Sequence, residues 1–251
     1  MFAFHGFGNH ASDFLPLENI LGADYTIVSI NLFFHGKSTA MEHLVNNGFS
    51  TDELKEFMEE FMSFFKAEKY ELIGFSLGGR IALKILELFP EKIERLLLLA
   101  PDGLIISPFY KFSTLNSVGR TLFKRLKDKP QFILRLAKIL RKVRILDDKK
   151  YQLSMYHLET AEYRQRVYDV WMIFRKIAPD LEKIRLLVAS ENIRVLLFFG
   201  RFDRIILAKW GEILRKGLEK QVSIRILEAG HQLVRQKNLE EIGGQIKNDA
   251  E

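Results

Sequence analysis

Apolar and polar residues divide the chain into two kinds of segment. Short, mostly apolar runs bounded by Gly, Asp or Pro are typical of buried parallel strands. Between them lie longer runs in which apolar residues recur every three or four positions, as in helix Thr51–Ala67, for which Thr51 is the predicted N-cap. The six predicted strands are Phe2–Phe4, Tyr25–Ile30, Tyr70–Gly74, Leu96–Ala100, Arg194–Phe199 and Ser223–Leu227.

This alternation of strands and helices predicts an α/β fold with a parallel sheet covered by helices on both faces. The strand pattern stops between Leu104 and Pro179, where helical periodicity continues alone. We interpret this stretch as a helical lid inserted after the fourth strand, over the site. The predicted organisation is a core in two parts, residues 1–103 and 180–251, with the lid at 104–179 between them.

Composition narrows the class of protein. No stretch approaches the ~18 uncharged apolar residues of a membrane span. The chain has no cysteine, which leaves no disulfide framework and no thiolate nucleophile. Its first residues, "MFAFHGFGNH", lack the basic region and cleavage site of a signal peptide. We therefore expect a cytoplasmic protein without stable membrane insertion.

Basic charge is concentrated in the predicted lid. Residues 104–185 contain 19 Lys/Arg and 8 Asp/Glu, a balance of +11, whereas the chain as a whole carries only +6. Such asymmetry indicates either an acidic ligand or a set of solvated helix faces. The segment has no recognisable nucleic-acid motif, and its charges alternate with apolar positions, so no nucleic-acid partner is expected. The oligomeric state is not predicted.

The stretch "IGFSLGGRIALKI", from Ile73 to Ile85, places a serine where a strand turns into a helix. Gly74 and Gly78 flank Ser76 and remove side chains that would collide in so sharp a turn. The helix N-terminus behind Ser76 favours developing negative charge. The pattern predicts a nucleophile elbow.

A serine nucleophile needs a base, and the base needs an orienting acid. Asp203 follows the fifth predicted strand in "GRFD", and His231 follows the sixth in "AGH". The order Ser, Asp, His is the one expected with a strand-to-helix elbow. No metal site is predicted, because cysteine is absent and no histidine shows paired spacing with carboxylates. The histidines are His5, His10, His35, His43, His157 and His231.

These motifs resemble the α/β-hydrolase superfamily over nearly the whole chain. "HGFG" at His5–Gly8 resembles the oxyanion loop of this superfamily. "NLFFHGKS" resembles the family's usual Asp-x-Pro-Gly-His-Gly-x-Ser segment, from which Asn31, Phe33 and Phe34 depart. "HGKS" is not a phosphate loop, since the required first glycine falls at Asn31. Few residues precede "HGFG", so either the sheet has about six mostly parallel strands without an antiparallel edge pair, or the given start lies downstream of the protein's own.

The resemblance also implies further site residues. The backbone N–H groups of Phe7 and Leu77 occupy the positions of the family's oxyanion hole. The elbow "GFSLGGR" is similar to that of the SHCHC synthases of the menaquinone pathway, in which an arginine four residues after the serine helps hold an anionic substrate. Arg80 has this position and could bind a carboxylate bidentately. The alternatives are a surface arginine or one that pairs with a lid acid.

The predicted reaction is hydrolysis of an ester or thioester of a small or acyl-chain substrate through an acyl-enzyme, without a cofactor. One alternative is an SHCHC-synthase-like lyase or a C–C hydrolase that acts on an anionic substrate. Another, of a different class, is a signalling receptor of the same fold that turns over its ligand slowly. The fold does not select among them.

Overall fold

A computed structural model describes residues 1–131, 135 and 160–250. Six strands form one sheet in the order β2-β1-β3-β4-β5-β6, and every neighbouring pair is parallel. The predicted α/β fold with about six parallel strands is therefore confirmed, and no antiparallel edge pair occurs among the described residues. The strands are β1 (Phe2–Phe4), β2 (Val28–Ile30), β3 (Tyr70–Phe75), β4 (Ile93–Leu99), β5 (Arg194–Gly200) and β6 (Val222–Leu227).

Helices cover both faces of this sheet, so its central strands are apolar along nearly their whole length. The run Leu96–Leu99 in β4 and the run Val195–Phe199 in β5 are buried throughout, as expected of a doubly covered parallel sheet. The helices, in chain order, are α1 (Leu15–Leu21), α2 (Glu42–Asn47), α3 (Thr51–Phe65), α4 (Leu77–Leu88), α5 (Pro108–Leu115), α6 (Ser117–Asp128), α7 (Ala161–Ile173), α8 (Leu181–Ser190), α9 (Gly211–Arg215) and α10 (Gln236–Ala250).

The chain forms two compact units. The sheet unit consists of Met1–Thr39, Ser50–Ile106 and Ile177–Glu251, and the helical unit consists of Ala40–Phe49 and Ser107–Lys176. Within the helical unit, Arg175 donates to the carbonyl oxygen of Val45 at 2.9 Å and to that of Asn46 at 2.6 Å. The sequence pattern gave no sign that residues 40–49 join the insertion, because their partner lies about 130 positions away.

Two helices of the helical unit, α6 and α7, begin at side-chain caps. The Asn116 Oδ1 atom accepts the N–H groups of Val118 at 2.9 Å and Gly119 at 3.1 Å, which begins α6. Thr160 accepts the N–H of Tyr163 at 3.1 Å and begins α7. Residues 132–134 and 136–159 of the predicted lid lie outside the described residues. The lid role of residues 104–179 remains a prediction.

Several element boundaries differ from the sequence-based ones; β2, for example, begins at Val28 rather than Tyr25. The N-cap of α3 is Ser50, not Thr51: its Oγ accepts the N–H of Glu53 at 3.1 Å, and the Glu53 carboxylate accepts the N–H of Ser50 at 2.6 Å. Strand β4 begins at Ile93 rather than Leu96, because Arg95 is buried by an ion pair with Glu71 of β3 at 2.8 Å. None of the helices within the described ranges has the length and apolarity needed to cross a bilayer.

Candidate active site

The elbow joins β3 to α4 and leaves no room for side chains on either side of the serine. A Cβ atom on Gly78 would lie 1.9 Å from the carbonyl oxygen of Phe4, and one on Gly74 would lie 2.5 Å from the carbonyl oxygen of Gly78. Both distances are far below van der Waals contact. Helix α4 can therefore start directly against the carboxyl end of β1 only because these two positions are glycine.

Ser76 itself has a backbone conformation that a side chain disfavours, with φ 49° and ψ −113°. Hydrogen bonds hold it there: its N–H donates to Leu99 at 3.0 Å, and its carbonyl oxygen accepts from Asp102 at 2.9 Å and Gly79 at 2.9 Å. Strain of this kind persists where the surroundings over-determine the backbone, and it marks functional turns. The predicted elbow geometry is present.

The three predicted triad residues form one continuous hydrogen-bonded chain. The Nε2 atom of His231 lies 3.1 Å from Ser76 Oγ, and its Nδ1 atom lies 2.8 Å from Asp203 Oδ2. Parallel β5 and β6 end side by side, which places the residues that follow them at the same edge of the sheet. A serine, imidazole and carboxylate in this order can move a proton from the hydroxyl to the imidazole.

Close backbone contact between the loops after β5 and β6 fixes the Asp203–His231 pair. A Cβ atom on Gly200 would lie 2.2 Å from the carbonyl oxygen of Gly230. The N–H of Phe202 donates to the carbonyl oxygen of Ala229 at 2.9 Å. These contacts hold the two loops against each other and place the Asp203 carboxylate beside the His231 ring.

Asp203 is buried and held ionised. Burial alone would raise the pKa of its carboxyl group, but the hydrogen bond to His231 and the N–H groups of Ile206 and Ile205 outweigh burial and lower that pKa below its ordinary value. Oδ1 accepts from these N–H groups at 3.0 Å and 2.7 Å, which leaves Oδ2 for the imidazole. The carboxylate can therefore orient the imidazole and stabilise its protonated form.

The predicted oxyanion groups lie on the two segments next to the serine. Leu77 is the first residue of α4, so its N–H has no acceptor within the helix. The loop that contains Phe7 packs against the elbow at Gly6, where a Cβ atom would lie 2.8 Å from the Phe75 ring and 3.1 Å from Ser76 Cβ. Both segments therefore lie beside Ser76, and the oxyanion role of the Leu77 and Phe7 N–H groups remains a prediction.

Arg80 lies one turn into α4, but its side chain is buried. Its guanidinium forms an ion pair with Asp102, and Asp102 in turn bonds the Ser76 carbonyl oxygen through its backbone N–H. Its observed partner is therefore an acid of the sheet unit. A substrate carboxylate would have to compete with Asp102 for this guanidinium.

The model of the alpha/beta hydrolase fold family matches residues 1–234. The chain belongs to the α/β-hydrolase family. Its match to the thermophilic esterase from Thermogutta terrifontis covers 99% of this chain and 88% of that one, with a TM-score of 0.66 and 17% identity. That likeness concerns the fold.

Curated relatives of this α/β-hydrolase match it over shorter stretches. One is the dihydrolipoyllysine-residue acetyltransferase component of the acetoin cleaving system of Pseudomonas putida, 30% identical over 40% of this chain and 26% of that protein. Another is a Bacillus subtilis protein assigned as a 2-succinyl-6-hydroxy-2,4-cyclohexadiene-1-carboxylate (SHCHC) synthase, 30% identical over 38% of this chain and 33% of that protein. The matches thus span a quarter to a third of these relatives' lengths.

Two histidines of this α/β-hydrolase shape the loop beside the serine, and the sequence reading assigned neither a role. His35 Nε2 accepts the N–H of Gly8 at 3.0 Å, and His5 Nε2 accepts the N–H of Leu32 at 3.0 Å. His5 Nδ1 must then carry the proton and donate it to the carbonyl oxygen of Gly6 at 2.8 Å. His5 belongs to the "HGFG" motif and His35 to the "FFHGKS" motif, so these two motifs were the sequence features that could have indicated their roles.

The buried His5 should make the stability of the fold depend on pH. Burial lowers the pKa of His5 from 6.5 to about 4, although the Gly6 carbonyl partly opposes this. Between these values the unfolded chain binds a proton that the folded chain does not, so the free energy of unfolding falls as pH falls. The loss is on the order of 3 kcal/mol by pH ~4. Urea denaturation at successive pH values measures it.

A matched pair of variants isolates this contribution. His5→Gln should flatten the pH dependence between about pH 6.5 and 4, even though its stability at neutral pH is lower. His43→Gln, at an exposed position on α2, should leave the wild-type slope unchanged. An unchanged slope in His5→Gln would show that another group carries the dependence.

Proposed function

We propose that this chain is a serine hydrolase that cleaves an ester or thioester of a small or acyl-chain substrate. The observation that carries the proposal is the continuous chain from Asp203 through His231 to Ser76, with distances of 2.8 Å and 3.1 Å. The strained serine at the end of β3 supports it further, because this geometry holds the hydroxyl out from the edge of the sheet.

In the first half-reaction, Ser76 Oγ attacks the carbonyl carbon while His231 Nε2 takes the hydroxyl proton. Ionised Asp203 holds the Nδ1 proton and stabilises the imidazolium that forms. The developing oxyanion accepts hydrogen bonds from the N–H groups of Leu77 and Phe7. Such donors contribute on the order of 10²–10³-fold in rate each, because they are fixed before charge develops.

Collapse of the tetrahedral intermediate breaks the bond to the leaving alcohol or thiol, which takes the proton from His231. The acyl group remains on Ser76. A water molecule then attacks the acyl carbon and gives a proton to the imidazole. The bond from the acyl carbon to Ser76 Oγ breaks, Oγ takes that proton back from His231, and the carboxylic acid product leaves. No step requires a metal or an organic cofactor.

Active-site labelling and an ester panel test this function together. A fluorophosphonate probe should modify Ser76, as located by mass spectrometry of the labelled peptide. p-Nitrophenyl esters of increasing acyl length should be hydrolysed with multiple turnovers, and the preferred length defines the acyl pocket. An absence of labelling would contradict the proposal. Labelling without sustained turnover, together with ligand-dependent melting, would favour the receptor alternative.

A lyase or C–C hydrolase acting on an anionic substrate is the second candidate. Its support is the similarity to a Bacillus subtilis protein assigned as an SHCHC synthase, 30% identical over 38% of this chain, together with the position of Arg80 in the elbow motif "GFSLGGR". Because Arg80 forms an ion pair with Asp102, this candidate can be tested by substituting either residue of the pair. If Arg80 binds substrate, then Asp102 limits that binding.

An anionic and a neutral ester of similar size test the anion recognition on which the second candidate depends. If Arg80 recognises an anion, Arg80→Ala should lower the ratio of their kcat/KM values by about 10–100-fold, the worth of a charge-assisted hydrogen bond. Asp102→Asn should raise that ratio by removing the competing carboxylate. Arg204→Ala, at an exposed arginine next to Asp203, serves as the control. Equal responses of both esters in all three variants would leave Arg80 without a role in recognition.

A further inference from the structure

Helix α5 buries polar residues and exposes large apolar ones. Tyr110, Ser113 and Thr114 are buried, whereas Phe109, Phe112 and Leu115 are exposed. The buried Thr114 hydroxyl donates to the carbonyl oxygen of Tyr110 at 2.7 Å, so its burial leaves no hydroxyl unsatisfied. A helix that served only its own unit would place its phenyl rings inside. This inverted polarity indicates that the outer face of α5 contacts something else.

Helix α6 extends this exposed apolar surface. Val118 and Leu122 lie one turn apart on it and are also exposed. The two helices cross closely at Gly119, where a Cβ atom would lie 1.9 Å from the carbonyl oxygen of Phe112. The two helices are therefore packed in direct contact, and the exposed apolar residues of both lie near this contact in sequence. Phe109 and Val118, at 61% and 62% exposure, protrude furthest among these apolar residues.

Positive charge surrounds the same side chains. Residues 107–129 contain six Lys/Arg and one Asp, a balance of +5 over two helices. Arg125 follows Val118 and Leu122 on one face of α6, at the spacing i, i+4, i+7. We call the combined surface the basic-apolar face. It consists of Phe109, Lys111, Phe112, Leu115, Val118, Leu122, Lys124 and Arg125, all of which are exposed.

We propose that the basic-apolar face docks reversibly on the surface of an anionic phospholipid bilayer. Its apolar side chains enter the boundary between headgroups and acyl chains, and its Lys and Arg side chains pair with lipid phosphates. Charge complementarity favours this occupant, since a soluble polyanion would satisfy the charges but leave the apolar residues in water. Docking needs neither Ser76 nor its partners, so it stands independently of the proposed hydrolase.

Co-sedimentation of the full chain with vesicles tests the proposal. The protein should bind vesicles of phosphatidylcholine with phosphatidylglycerol, bind phosphatidylcholine alone much more weakly, and dissociate as sodium chloride is raised. The triple variant Lys111→Gln/Lys124→Gln/Arg125→Gln should lose about 100-fold in affinity, from the typical contribution of each basic residue near a membrane surface. The apolar variant Leu115→Gln/Val118→Gln/Leu122→Gln should lose at least about 10-fold.

The matched control changes exposed leucines of the sheet unit. Leu15→Gln/Leu186→Gln removes side chains of similar exposure and should bind vesicles like the wild type. Thermal melting of each variant establishes that it is folded. The proposal is overturned if anionic vesicles are not bound, if neutral and anionic vesicles are bound equally, or if the apolar variant binds as the wild type does. It is overturned equally by binding to soluble heparin without binding to vesicles.

Discussion

Replacing Ser76 with alanine should lower kcat for ester hydrolysis by at least about 10³-fold and abolish fluorophosphonate labelling. The Oγ atom removed by this change lies 3.1 Å from His231 Nε2 and is the proposed nucleophile. KM should change little, because the hydroxyl is a small part of the binding surface. Steady-state kinetics on the preferred p-nitrophenyl ester measure both constants.

Two comparisons make the Ser76→Ala result specific. The variant should melt at or above the wild-type temperature. Alanine keeps all the backbone hydrogen bonds that hold the elbow, and the change removes only a half-buried hydroxyl. Ser63→Ala should keep full activity. Ser63 is an exposed serine on α3, and its hydroxyl donates to the backbone carbonyl oxygen of Glu60. Undiminished labelling or turnover in Ser76→Ala would remove Ser76 from the nucleophile role.

Replacing Gly78 with alanine should destabilise the fold by about 3 kcal/mol and suppress activity at the same time. The new Cβ would meet the Phe4 carbonyl oxygen at 1.9 Å and the Phe4 carbonyl carbon at 2.4 Å, and neither belongs to a side chain that could rotate away. Either β1 or α4 must shift, and a shift of α4 moves Ser76 away from His231. Urea denaturation and ester hydrolysis measure the two effects.

Gly244→Ala is the matched control for this substitution. Gly244 lies inside α10, and a Cβ atom there would meet nothing within 4 Å. Alanine has the higher helix propensity, so this variant should gain up to about 1 kcal/mol in free energy of unfolding and keep its activity. If Gly78→Ala behaved like Gly244→Ala, the elbow would not require glycine.

The fold was predictable because the central strands are buried on both faces. Every predicted strand is present, and β1 has the predicted bounds, since its three residues are apolar and are followed at once by His5. Boundaries failed where a distant partner decided them. Arg95 belongs to β4 because its guanidinium forms an ion pair with Glu71 of β3, and no sequence pattern near Arg95 indicates that partner.

The site was predictable to the extent that it is encoded locally. Ser76, Asp203 and His231 each follow a strand, and parallel strands deliver such residues to one edge of the sheet. The surroundings of Arg80 were not predictable, because Asp102 reaches it from the loop after β4. The same is true of His35, whose ring accepts a hydrogen bond from Gly8, 27 residues away.

The order of the proposed catalytic residues also bears on when activity first appears during folding. His231 follows β6, the last strand and an edge of the sheet, while Ser76 precedes it by 155 positions. Contacts between residues so distant in sequence form late, since a long loop must close first. A chain still emerging from the ribosome can complete β1 to β4 with the elbow formed and yet lack its base. Under the proposed function, ester hydrolysis would therefore report the arrival of β6 rather than the formation of the first strands of the sheet.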